Sequence, residues 1–390
     1  MKKRPLLMIP GPIEFDPEVL HACGAPTVSH VSAEFIDTFG RCLERMRTVW
    51  GAPNGQPILL AGSGTLAMDT AGANLIEPGD RALVLSTGVF GDRYADLLSR
   101  YGAQVMVVGA PLGETIDFSE VDTVLKNGCF KLMTATHVDT STGVRIDAER
   151  FGELARAHGV LSILDGVCSV AGEPIRQDAW GIDVVLTASQ KAIGVPPGLA
   201  LLVVSEAALA AFESRQSATT NYYADWGQWI PIMHAYEERR PSYFGTPAVN
   251  LVAALDVGLE QILTEGLRQR EDRHRRIGSA CRAALTALGL EVVPTSEDHA
   301  ANTLSAPRCP PGIRCANLLT AVREAGVTFA GGLHPEIRTS SFRIGHMGSV
   351  RETDVLTAVA ALETGLLACK APVQPGVGVA AAQRVLTAGS

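Results

Sequence analysis

Long apolar runs are missing from this sequence: none approaches the roughly 18 residues that a membrane-spanning helix requires. The basic start Met1-Lys2-Lys3-Arg4 imitates a secretory leader, but the apolar stretch from Leu6 to Ile9 stops at Pro10-Gly11-Pro12, too short for export. The terminal Ala388-Gly389-Ser390 is not a peroxisomal signal of the Ser-Lys-Leu type. A cytoplasmic protein without membrane partners is expected. The eight cysteines (positions 23, 42, 129, 168, 281, 309, 315 and 369) have neither the CxxC spacing of a zinc site nor the density of a secreted scaffold. Reduced thiols and no metal are therefore expected. Basic charge is in deficit, since 33 Lys and Arg against 41 Asp and Glu give a formal net charge of −8, which opposes nonspecific attraction to nucleic acid. Charged residues reach only 19%, below the roughly 25% of an average soluble domain, while hydrophobic residues reach 46%. Much of the chain must then be interior or subunit interface. Over 390 residues this composition predicts two or three domains and favours a small-molecule enzyme.

Between residues 57 and 204 short apolar runs alternate with segments of helical period, the pattern of a mostly parallel sheet flanked by helices. Strands are predicted at Pro57–Leu60, Ala82–Ser86, Gln104–Val108, Leu132–Ala135, Val160–Leu164, Asp183–Thr187 and Leu199–Val203, and helices near 64–76, 90–101 and 147–158. The fold class is α/β, with a seven-stranded, mostly parallel sheet in a large domain. Past Pro247 the pattern changes to long helices at about 248–264 and 267–288, and the charge run Arg268 to Arg276 inside the second reads as a solvated face. Residues 290–366 read as strand, strand, helix, strand, strand, helix, a smaller C-terminal α+β domain. The stretch from Pro372, rich in Gly, Ala and Val, reads as a linker and a loosely attached tail. The predicted division is an N-terminal arm at 1–20, a large cofactor-binding domain at 21–265, a small domain at 266–370 and a tail at 371–390.

The segment Asp183 to Lys191 ends a buried strand in small polar residues and leaves a lone lysine where the chain turns through Gly194, Pro196, Pro197 and Gly198. A lysine so placed suits a Schiff base with a carbonyl cofactor, because burial and nearby positive charge lower an amine's pKa and free its lone pair. Asp165, 26 positions upstream, ends another apolar strand. A carboxylate facing a pyridine nitrogen keeps it protonated, so that the ring can accept electrons. Both residues fall at the carboxyl ends of predicted strands, where open α/β sheets bind their ligands. Ala61-Gly62-Ser63-Gly64-Thr65-Leu66-Ala67 lies between a strand and a helix, and its backbone amides with the Ser63 and Thr65 hydroxyls suit a phosphate dianion. Gly62, Gly64 and Ala67 also satisfy the dinucleotide fingerprint, which makes an NAD-dependent oxidoreductase the alternative. That reading expects an acidic residue closing the next strand, where Ser86-Thr87-Gly88-Val89 stands instead.

Taken in order over about residues 8–366, a set of segments resembles the class V, fold type I aminotransferases, most of all the alanine-glyoxylate and serine-pyruvate aminotransferases. The segments are Pro10-Gly11-Pro12, Ala61 to Thr65, Ser86 to Phe90, Thr136 to Thr142, Asp165 to Ser169, Ala188 to Ala192, Tyr243 to Pro247 and Arg343 to Gly348. The resemblance implies pyridoxal 5′-phosphate as the cofactor. Lys191 would hold it as an internal aldimine and shuttle the proton at the substrate Cα, and Asp165 would pair with the ring nitrogen. Val167 and Phe90 would cover the two ring faces, Phe90 where many relatives carry Trp. Ser63, Gly64, Thr65 and Gln190 would hold the phosphate and Thr140 the ring hydroxyl. Tyr243 and Thr246 would complete the neighbouring subunit's phosphate site, so an obligate homodimer is implied. Arg343 would grip the substrate carboxylate, with Gly11 beside it. Gln190 stands where cysteine desulfurases of this fold carry His, and Cys168 reads as packing. The implied activity is ping-pong transfer of the amino group of a small amino acid, alanine, to glyoxylate, giving pyruvate and glycine. Serine-glyoxylate, serine-pyruvate and pyridoxamine-pyruvate transamination are the alternatives within the family. No second cationic group for a distal carboxylate is evident, although Arg239, Arg240 or Arg338 could approach the pocket.

Overall fold

A computed structural model describes residues 4–388, so the start at 1–3 and the terminal Gly389-Ser390, on which part of the expected address rests, lie outside the described residues. No helix among the described residues is long and apolar enough to cross a membrane. All seven predicted strands form: β1 (Gln56–Ala61), β2 (Arg81–Ser86), β3 (Gln104–Gly109), β4 (Leu132–Thr136), β5 (Leu161–Asp165), β6 (Val184–Ala188) and β7 (Leu199–Val204). They make one sheet in the order β1-β7-β6-β5-β4-β2-β3, parallel except for β7, which runs antiparallel to both neighbours. Their near-continuous apolar runs suit strands covered by helices on both faces. The edge strand β3 is the exception, with Met106 and Val107 exposed.

The covering helices carry sequence-coded ends. In α1 (Ala33–Trp50) the Ser32 hydroxyl accepts from Phe35 N, and Gly51 closes the helix at φ 63°, a left-handed turn that glycine adopts without a Cβ penalty. Ser63 caps α2 (Gly64–Leu75) by accepting from Leu66 N. The helix α3 (Val89–Arg100) has no side-chain cap from its own Gly88.

A second apolar core is built by α5 (Leu267–Ala287), α6 (Glu352–Ala368), α7 (Val377–Thr387) and the strand β8 (Phe342–Gly345), and α4 (Val249–Glu265) leads into it from the first core. The strands expected around residues 290–345 shrink to two-residue pairings and isolated bridges such as Val292 with Pro307. Pro294, Pro307, Pro310 and Pro311 lack the amide that a longer ladder needs.

Three expectations are corrected. The stretch beyond Pro372 is not a loose tail: α7 packs with Ala381, Ala382 and Leu386 buried in the second core. The Glu363 carboxylate, itself buried, accepts from the amides of Gly376 at 2.8 Å, Gly378 at 2.7 Å and Val379 at 3.1 Å, satisfying that helix's start. The charge run in α5 is not wholly solvated either. Arg270, 7% exposed, donates to Ala171 O and Ala192 O at 2.8 and 2.7 Å and pairs with Glu265, while His274 accepts from Gly348 N. Burial pushes the Arg270 guanidinium down to about 10. Finally, Cys309 and Cys315, expected as thiols, are bonded to each other, since the Pro-Pro-Gly loop brings their Cα atoms to 5.7 Å. The other six cysteines are free.

The N-terminal segment ties the two cores together. Leu6 and Leu7 pair in parallel with Val327 and Thr328, Gly345 N donates to Met8 O at 2.9 Å, and the chain then enters the first core at Ile13.

The Glu363 contacts predict that Glu363→Ala leaves three helix-start amides, that of Gly378 buried, without their acceptor and lowers the unfolding free energy by about 1–3 kcal/mol. Urea denaturation measures this, and an unchanged midpoint would show that α7 does not depend on the contact.

Candidate active site

At the carboxyl ends of β1, β4, β5 and β6 lies a cavity of about 210 Å³ walled by Ser63, Gly64, Thr65, Phe90, Thr140, Asp165, Val167, Gln190 and Lys191. Nine of the sequence-predicted site residues, from five chain segments, thus meet in one place. A more open groove of about 590 Å³ lies at the opposite ends of β5 and β6, beside Leu161, Asp183 and Ser205. It holds no lysine, and open α/β sheets bind ligands at the other edge.

Asp165 closes β5 at 2% exposure. Its Oδ1 accepts from Val167 N at 2.9 Å and its Oδ2 from the Thr136 hydroxyl at 3.5 Å. Two donors are few for a buried carboxylate. Burial pushes its pKa up to about 6; the Val167 amide opposes the rise, Asp139 adds to it, and Lys191 opposes it. The site therefore suits a cationic ring N–H facing Asp165, which would hold the carboxylate ionised.

Lys191 follows β6, and its ammonium donates to Pro10 O. Gly11, at φ +96°, presses against the same side chain: a Cβ there would lie 2.5 Å from Lys191 Cδ and 2.9 Å from Nζ. Only glycine combines that backbone angle with that approach. The N-terminal segment thus forms one wall around the lysine, a contact from 181 residues away.

The turn expected to hold a phosphate opens onto the cavity. The first turn of α2 presents Gly64 and Thr65 to the cavity, and Gly64 touches Val167, whose Cγ2 would stand 2.8 Å from an added Cβ. Gln190 Oε1 is a buried acceptor with no partner among the described residues. Helix-start amides, two hydroxyls and the Nε2 donors of the Gln190 amide match a phosphate dianion, which only accepts. The same geometry sets aside the dinucleotide alternative, because β1 and β2 are separated by four strands and form no adjacent parallel strand–helix–strand unit. With a lysine, a ring-facing carboxylate and an anion cradle together, the residues present fit pyridoxal phosphate.

The remaining predicted residues sit apart from the cavity wall. Arg343, on β8, is half-buried and donates through Nε to Gly331 O at 2.8 Å. Burial pulls its guanidinium below the ordinary value, while Cys168 and Asp139 oppose that. Tyr243 is 62% exposed, its hydroxyl 3.4 Å from Thr246 Oγ1, and neither residue belongs to this chain's own cavity wall. The sequence reading missed Arg93, a cavity residue whose guanidinium lies 4.7 Å from the Phe90 ring centroid. It gave no role to Asp139. Both occur inside or beside quoted segments, where their types alone do not distinguish them from surface charges.

The profile of the family described as Aminotransferase class-V matches residues 18–351. The chain is 38% identical over 358 residues to alanine-glyoxylate aminotransferase 1 of Saccharomyces cerevisiae, covering 88% of this chain and 91% of the relative. It is 35% identical over 384 residues to L-aspartate-glyoxylate aminotransferase of Paracoccus denitrificans, with 97% and 95% covered. The crystal structure of pyridoxamine-pyruvate aminotransferase from Mesorhizobium loti superposes with a TM-score of 0.94 at 29% identity, covering 100% of this chain and 98% of that one.

The raised Asp165 pKa has a stability consequence of definite sign. In the cofactor-free protein the folded state keeps a proton up to about pH 6 that the unfolded chain releases near 3.8, so stability is lost as pH rises through that window. The loss is on the order of 2–3 kcal/mol. Asp165→Asn removes it, so the variant's stability relative to the parent should grow between pH 4 and 6 and level off above; parallel urea-denaturation profiles would count against the buried-acid assignment. Gly11→Ala should displace Lys191. Borohydride fixation of pyridoxal phosphate on that lysine, read by mass spectrometry, should fall at least about tenfold, and parental labelling would refute the contact.

Proposed function

The chain belongs to the class V aminotransferase family and is a pyridoxal phosphate-dependent aminotransferase; from that premise we propose that it moves the amino group of alanine to glyoxylate, giving pyruvate and glycine, as a cytoplasmic homodimer. The observation that carries the reading is the meeting of Lys191, Asp165 and the Ser63-Gly64-Thr65 turn around one small cavity. The 38% identity to a protein named for alanine and glyoxylate supports the choice of substrates. Arg239 pairs with Asp37 and Glu44, and Arg240 pairs with Glu238, which leaves neither free for a distal carboxylate.

When bound, the cofactor supplies an electron sink for the bond broken at the substrate Cα and carries the amino group between the two half-reactions. In this reading the chain's own residues do the rest. Lys191 would hold the cofactor, and its Nζ is the group placed to take and return the proton at the substrate Cα. Pro10 O and Gly11 fix where that amine can swing. Asp165, denied solvent, is ionised more readily beside a cation and would in turn favour a proton on the ring nitrogen. Ser63, Gly64, Thr65 and Gln190 bind the phosphate, Thr140 the ring hydroxyl, and Val167 and Phe90 exclude water from the two ring faces. Arg343 orients the substrate carboxylate through its fork-shaped guanidinium. Tyr243 and Thr246, exposed here, complete the phosphate site of a second subunit.

A second reading is favoured by one observation. Arg93 stands in the cavity with no carboxylate partner among the described residues, contrary to the expectation that no second cation is within reach. It would suit a dicarboxylic amino donor, and the relative from Paracoccus is named for aspartate.

Visible absorbance of the purified holoenzyme tests both readings. Alanine should bleach the cofactor band and glyoxylate should restore it. Bleaching by aspartate in preference to alanine, abolished in Arg93→Ala, would replace the proposal with the dicarboxylate reading. Bleaching by serine alone, or turnover of free pyridoxamine without retained phosphate ester, would shift it to the corresponding relative. Arg343→Ala should raise the KM for alanine at least about tenfold with a smaller change in kcat, and unchanged kinetics would move carboxylate recognition elsewhere.

A further inference from the structure

The helix α3, which carries Phe90, begins without a cap of its own, and the missing acceptor comes from a distant segment. Asp139, fully buried, directs Oδ2 to Phe90 N at 2.9 Å, while its Oδ1 accepts from Ser141 N at 2.9 Å and from the Ser141 hydroxyl. The amide of Gly91 also faces this carboxylate. Ser141 Oγ in turn accepts from Val89 N at 3.1 Å, and the Thr142 hydroxyl donates to Thr87 O at 3.2 Å. The two segments are clasped so closely that a Cβ on Gly88 would stand 2.4 Å from Ser141 Oγ and 2.8 Å from Asp139 Cγ.

The clasp has a consequence for the cavity. Asp139 is covalently next to Thr140 and hydrogen-bonded to Phe90, so one carboxylate sets the spacing between two walls that come from segments 49 positions apart. We propose that Asp139 is a positioning residue for the cofactor: it caps α3 from outside and thereby holds the Phe90 ring in stacking register with the pocket that Thr140 bounds. The inference rests on the assignment of Phe90 as a ring-stacking residue made above. A carboxylate is required rather than an amide, because four donors converge on two oxygens and an asparagine offers one acceptor oxygen and turns an NH₂ group toward the rest.

The test is a double-mutant cycle on the cofactor-free protein titrated with pyridoxal phosphate, read by quenching of tryptophan fluorescence and by the visible circular dichroism of the bound cofactor. Phe90→Ala and Asp139→Asn should each weaken cofactor binding about tenfold or more. Because Asp139 acts through Phe90, adding Asp139→Asn to Phe90→Ala should cost no more than about a further twofold. Asp139→Asn should also reduce the cofactor's dichroic band at saturating cofactor, a change that a loss of global stability alone does not produce. Multiplicative losses in the double variant, or parental affinity and dichroism in Asp139→Asn while Phe90→Ala binds weakly, would overturn the positioning role and leave the Phe90 assignment standing. Parental affinity in Phe90→Ala would remove that assignment and the inference with it. Should Asp139→Asn show no cooperative urea transition, Ser141→Ala, which removes the hydroxyl between Val89 N and Asp139, replaces it in the same cycle with the same expected coupling.

Discussion

A carboxylate that the fold withholds from water organises this protein. Asp165 ends a central strand at 2% exposure with one amide and one long hydroxyl contact, and its pKa rises to about 6 in consequence. Ionising such a group is costly in the empty protein and is eased by a cation, so in the proposed reading binding of a pyridinium ring would be thermodynamically linked to ionisation of Asp165. The rest of the cavity is arranged around that axis. Parallel strands deliver Asp165 and the segment leading to Lys191 to the same edge of the sheet, because β5 and β6 pair in parallel and in register.

The second constraint is closeness. Gly11 against Lys191, Gly64 against Val167 and Gly88 against Asp139 are all positions where a methyl group would meet a neighbour at under 3 Å. Each brings backbone from one segment onto a functional side chain of another, and each depends on long-range packing. The strap of residues 6–13 pairs with the small core through Val327 and Thr328 before it reaches the lysine, so the geometry at Lys191 is linked to the position of the C-terminal unit. Arg270 adds a second link, since it donates to Ala192 O, one residue beyond the lysine.

Much of this was legible in the sequence because the signals were local. The seven strands announced themselves as short apolar runs bounded by turn residues, and their observed limits differ from the expected ones by at most one position. Ser63 and Gly64 marked a helix start, and Lys191 marked itself as a lone cation at the end of a buried strand. The failures were not local. The Gly-, Ala- and Val-rich end of the chain lacks large side chains, so nothing in it reported that its small faces pack against α5 and α6 or that Glu363 caps it. Arg270 and His274 read as surface charges because burial of a charge is decided by partners such as Ala171 O and Glu265, far from them or on another helix.

The sequence by itself determined the α/β class, the seven strands and the residue types that pyridoxal chemistry needs, since periodicity, capping and turn chemistry act over a few neighbouring residues. The tertiary structure alone decided that Pro10 and Gly11 wall in Lys191, that Arg93 enters the cavity, that Arg343 donates to Gly331 O, and that Asp139 caps a helix it does not belong to. Those outcomes depend on which strands become neighbours and how closely their connections pack, and a contact between residues 10 and 191 or 90 and 139 has no local signature.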